Sequence, residues 1–112
     1  MTSLGESTVI VRCETSEAGA EVGAQVVLAM ATAAGIPPLA ADRLRGDVRH
    51  AVHEAQGAVE LGVTVGADGL ILTISPPAHR LDAVLATLEG HGAELDGDVV
   101  RVRARRTPLE SV

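Results

Sequence analysis

Residues 58–77, AVELGVTVGADGLILTISPP, decide the fold. Ala58 to Val65 reads as a strand, Ala67-Asp68-Gly69 is a turn signal, and Leu70 to Ile74 pairs back as the hairpin partner. Ser75-Pro76-Pro77 ends the hairpin. It also starts a helix, because proline is favoured at the first helical position, where an N–H is not needed.

Before the hairpin, Thr8 to Glu14 (TVIVRCE) reads as a strand rich in β-branched residues. Ser16 or Thr15 is expected to cap a helix over Ala18 to Ala34, with Gly35 as its stop. That helix is apolar on nearly all sides, which predicts burial in the core or in a subunit contact. Its small residues, Gly19, Gly23, Ala24, Ala29, Ala31, Ala33 and Ala34, allow close approach of other elements. Pro37-Pro38 opens a second helix, Pro38 to Gln56. Leu44, Val48, Ala51, Val52 and Ala55 form its inward stripe, with Arg45, Arg49, His53 and Glu54 off it.

After the hairpin, Leu81, Val84, Leu85 and Leu88 carry the inward stripe of a third helix, which Gly90 or Gly92 stops. Ala93 to Leu95, the turn Asp96-Gly97, and Val99 to Arg105 form a second hairpin. The order is β-α-α-β-β-α-β-β. The expected class is α+β: a two-layer sandwich with a mostly antiparallel sheet of about five strands and three helices on one face. One domain is expected over residues 8–105, with flexible tails at 1–7 and 106–112.

Of the 112 residues, 46% are hydrophobic, so the composition is not that of a disordered chain. No Phe, Tyr or Trp is present, and the core must be built from Val, Leu, Ile and Ala. Each of these buries less area than an aromatic side chain, at about 25 cal/mol per Å². Modest stability is expected, helped by self-association. The bias towards Ala, Gly, Val, Arg and Asp is that of a GC-rich genome. The net charge of −6 does not suit nucleic acid. All nine basic residues are Arg, and Arg101, Arg103, Arg105 and Arg106 cluster near the C-terminus. They read as a solvated strand edge protected by charge, or as a docking stripe for an acidic partner. Cys13, the single cysteine, reads as a small core residue in a reducing cytoplasm. No signal peptide is visible in residues 1–7. The uncharged run 22–41 is broken by Pro37-Pro38 into pieces too short for a membrane span.

Several chemistries lack their residues. With no Lys, a phosphate-binding Walker loop and Schiff-base catalysis are excluded. Neither a GxGxxG turn after a strand nor a GxSxG elbow occurs. His50 and His53 share a helix face next to Glu54, but a zinc site needs three or four ligands. Surface histidines, with His50 and Glu54 as an i, i+4 pair, explain the pattern more simply. Glu54, Asp47, Asp68, Asp82, Asp96 and Asp98, mostly at turns or on helix surfaces, form no specific acid–base pair.

Three stretches carry a resemblance. They are TVIVRCETSEAGAEVGAQVVLAMATAAGIPPLAADRLRGDVRHAVHEA (8–55), AVELGVTVGADGLILTISPP (58–77) and LDAVLATLEGHGAELDGDVVRVRAR (81–105). In element order and in these segments the chain resembles the histidine-kinase-like ATPase superfamily, in particular the anti-sigma-factor serine kinases of partner-switching systems. In that family the second helix carries a Glu that orients the attacking group, and an Asn one turn later that holds Mg²⁺. The matching positions are His50 and Glu54, and the chain contains no Asn. After the hairpin the family has an Asp that reads adenine, followed by glycines. Ser75, Pro76, Pro77, Ala78 and His79 stand there instead. The family's glycine-rich phosphate lid is absent before the last helix.

A kinase works almost entirely by positioning phosphates and neutralising their charge. The resemblance therefore implies a non-catalytic relative with no cofactor and no metal. Its partner would be a sigma factor, an anti-sigma antagonist or a kinase paralogue, and the first helix would support a homodimer. The expected binding surfaces are the second helix's polar face (Arg45, Arg49, His50, His53, Glu54) and the basic closing strand (Arg101, Arg103, Arg105). A divergent ATPase or serine kinase using His50 and Glu54 is the alternative reading, and a small metal-binding regulator using His50, His53 and Glu54 is the second.

Overall fold

Alternation of apolar and polar residues builds the sheet, and wide apolar stripes build the helices that cover it. A computed structural model describes residues 7–14 and 16–106. The remaining residues of the two expected tails, and Thr15 as a possible cap, lie outside this range. The strands are β1 (Ser7–Cys13), β2 (Val59–Gly66), β3 (Gly69–Ser75), β4 (Glu94–Asp96) and β5 (Val99–Arg105). The helices are α1 (Glu17–Ala33), α2 (Pro38–Ala55) and α3 (Leu81–Thr87). The sheet is wholly antiparallel, in the order β1-β2-β3-β5-β4.

Successive side chains of a strand point to opposite faces. Cys13, Val59, Leu61, Val63, Leu70, Leu72, Ile74, Val100 and Val102 are buried on one face. There α1 lies against β1, β2 and β3, and α3 against β5, while α2 packs on both helices. From the helices, Val27, Leu44, Val48, Val52, Val84 and Leu88 complete an aliphatic core, and among the described residues no polar or charged residue is buried with them. Among the described residues no helix covers the other face of the sheet. One row across it is Ile10, Gly62, Thr73, Arg101 and Glu94; the next is Thr8, Thr64, Ile71 and Arg103.

Helix ends follow local chemistry. The Ser16 hydroxyl accepts a hydrogen bond from Gly19 N at 3.1 Å and caps α1. Gly35, at φ +82°, ends it in the left-handed conformation that glycine adopts without strain. Pro38 occupies the first turn of α2, as expected. Gln56, at φ 50°, turns the chain out of α2 without a glycine.

Three expectations are corrected. The third helix does not run unbroken from the proline pair. Pro77 is extended, and a 3₁₀ turn over Ala78–Arg80 precedes α3. A second 3₁₀ turn, Glu89–His91, follows it. The closing strand β5 is not the outer edge, because the short β4 lies outside it. Finally, the domain's own core does not enclose α1 on all sides: it covers Ala20, Gly23, Ala24, Val27 and Ala31 and leaves Val22 56% exposed. Ser7 already belongs to β1, and Arg106 N donates to Asp68 O at 3.1 Å. Among the described residues no helix is long and apolar enough to cross a membrane.

Candidate functional site

The region of interest is where the C-terminal half of α2 meets the segment leaving β3. The inward stripe of α2 aims its other residues outward, as helical periodicity requires. His50 and His53 are exposed, and Glu54 is half-buried. The extended Pro77 directs the 3₁₀ turn so that Arg80 reaches back to α2. Its Nε donates to the Glu54 backbone oxygen at 2.8 Å, and its Nη2 to Glu54 Oε1 at 3.2 Å. One guanidinium thereby satisfies a carbonyl in the last turn of α2, where helix carbonyls lack partners, and neutralises a carboxylate. Pro77 packs beside Gly57, where an added Cβ would come within 2.8 Å of the proline ring.

These contacts fall on positions that the resemblance assigns to nucleotide and metal. Glu54 is held by Arg80, and His50 Nε2 lies 3.8 Å from Glu54 Oε2. Ser75 ends β3 opposite Glu60 of β2. The α2 side of the region is closed inward by Val48, Ala51, Val52 and Ala55, all inaccessible. No sequence pattern marked Arg80. Its role depends on the 3₁₀ turn that precedes α3.

The other α2 residues are divided among neighbours. Arg45 pairs with Asp42 at 3.0 Å on its own helix, and Arg49 reaches Glu21 of α1 at 3.3 Å. Arg49, His50 and His53 line a shallow hollow of about 250 Å³ with Glu17, Ala20 and Gly46. Asp47, on the α3 side, meets His91 at 2.6 Å and ties α2 to the second 3₁₀ turn. Among the described residues no group of three or more His, Cys, Asp or Glu converges as a metal site would require.

The second expected surface lies at the far side of the sheet. Arg101 is paired with Asp96 of β4. Arg103 and Arg105 are exposed and have no carboxylate partner among the described residues. Together with Arg106, Thr64, Asp68 and Ile71 they border a hollow of about 470 Å³ around the β2–β3 turn. The α2 face and the β5 stripe are thus two separate surfaces. Cys13 is buried beneath α1, and burial pushes its thiol pKa up, so it is not a poised nucleophile.

No family model matches the chain, and no curated protein matches it.

Proposed function

We propose that this chain is a regulatory protein-binding module of the anti-sigma kind. It is a degenerate relative of histidine-kinase-like ATPases that acts in the cytoplasm without nucleotide and without catalysis. The observation that carries this reading is the Arg80–Glu54 contact. At the position matched to the magnesium-holding Asn, the side chain is a carboxylate already bonded to an arginine of the same chain. A free carboxylate there would repel phosphate, and a paired one is not available to a cation. Pro76 and Pro77 reinforce the reading, since neither offers the backbone N–H that a phosphate or an adenine edge would use.

A protein-binding role is supported by what the domain exposes. Charged groups on the α2 face and on β5 suit selective encounter with a second protein. The partner is a sigma factor, an antagonist of an anti-sigma factor or a kinase paralogue. The test is light scattering on the purified module mixed with each candidate partner, with and without Mg-ATP. A stoichiometric complex that forms equally well in both conditions is expected. A complex that requires ATP, or transfer of phosphate to the partner, contradicts the proposal.

A further inference from the structure

The edge of β5 offers more than charge. In an antiparallel pair, alternate residues exchange backbone hydrogen bonds with the neighbouring strand, and those between turn their N–H and C=O the other way. Arg106 N bonds Asp68 O, so the even positions of β5 bond β3. The odd positions, Val99, Arg101, Arg103 and Arg105, therefore face the opposite edge. There β4 takes up Val99 and Arg101 and goes no further, since it begins at Glu94. Arg103 and Arg105 meet no strand on that side among the described residues.

The chain itself demonstrates what this edge accepts. The strand that β5 already holds is Glu94-Leu95-Asp96, with acidic residues at alternate positions. Glu94 sits opposite Arg101, and the Asp96 carboxylate bonds the Arg101 guanidinium. One step along, Arg103 and Arg105 repeat the same geometry, and among the described residues no strand and no carboxylate meets them. Asp68 lines the adjoining hollow but bonds neither arginine side chain.

We propose that the free half of β5, Val102 to Arg105, docks an acidic extended segment of the partner by antiparallel strand addition in line with β4. Carboxylates of that segment fall opposite Arg103 and Arg105. The proposal deepens the regulatory reading and rests on it. Main-chain bonds hold the segment and alternate side chains select it, the usual division in strand addition. An acidic protein segment is favoured over nucleic acid. The chain has no aromatic side chain on which a base would stack and carries a net charge of −6.

The test is fluorescence anisotropy with the full chain and a labelled peptide of alternating Glu and Val. Three further probes are a Lys-Val peptide, a Glu-Val peptide N-methylated on its edge-facing amides, and a single-stranded oligonucleotide. The Glu-Val peptide should bind best and the N-methylated peptide should not bind. The paired change R103E and R105E should weaken binding by about tenfold or more, while R12E, on the opposite edge strand, should leave it unchanged. The milder R103Q and R105Q pair, checked for an unaltered melting curve, guards against loss of folding. Equal binding of the Lys-Val or N-methylated peptide overturns the proposal, as does preference for the oligonucleotide. If a partner complex survives R103E and R105E, the docking edge is wrong and the regulatory reading stands. If the unaltered chain forms no partner complex, the regulatory reading itself fails.

Discussion

Gly19 and Gly46 both sit inside helices, yet their surroundings oppose one another. A Cβ on Gly19 would lie 2.9 Å from the backbone N and C of Glu14 and closer still to its carbonyl oxygen. The first turn of α1 thus rests directly on the chain leaving β1. A Cβ on Gly46 meets nothing within 4 Å. Gly19→Ala should therefore destabilise the domain by about 1–3 kcal/mol, as overpacking does. Gly46→Ala should stabilise it by about 0.5–1 kcal/mol, through lower backbone entropy in the unfolded chain. Urea denaturation of the two variants checks both signs.

Cys13 permits a second prediction at this scale. Burial raises its pKa, because the thiolate is disfavoured in the core. The folded state then holds the proton at pH values where the unfolded chain, near the ordinary pKa of about 8.5, has released it. Stability is unaffected by this group below that pH and falls as pH rises through the interval up to the folded pKa. Cys13→Ser, which removes the thiol, should show a flatter decline of stability above the ordinary thiol pKa in urea titrations. The native thiol should also resist a thiol-labelling reagent until denaturant is added.

At the scale of elements, the joint between α2 and α3 depends on Arg80. Arg80→Ala leaves the Glu54 carbonyl and carboxylate without their shared donor in a half-buried place. A loss of about 1–3 kcal/mol follows, and Arg80→Lys should recover only part of it, because lysine cannot serve both oxygens in one plane. Thermal melting of the three proteins measures this.

The same elements mark how far the sequence could be read. The β2–β3 hairpin and the α2 stripe were legible because each repeats one period between strong turn or proline signals. The broken third helix was not. Proline at a helix start and proline before a 3₁₀ turn look alike until the dihedral angles are known. The grouping of Arg49, His50 and His53 followed from helical spacing, but their hollow needed α1 beside them. The pairing of Arg80 with Glu54 spans 26 positions and leaves no periodic trace.

For the whole molecule, strand order is the fact that sequence conceals most fully. Four hairpin-forming strands suggest neighbours, yet the chain crosses from β3 over the place of β5 to the edge strand β4 and then returns, so β5 lies between β3 and β4 along one half and at the edge along the other. The open face, with Ile10 65% exposed and glycine or threonine at its centre, is a consequence of three helices sharing one side. The aliphatic core beneath the helices contains no aromatic side chain.

A scaffold that works without nucleotide should be indifferent to it, and a thermal melt of the purified chain in millimolar Mg-ATP checks this. A ligand at about 100 times its Kd adds about 2.7 kcal/mol, which for a domain of this size raises Tm by roughly 10 °C or more. A melting curve unchanged from that in buffer with magnesium alone is expected. A rise of that order, abolished by Glu54→Ala, would contradict it.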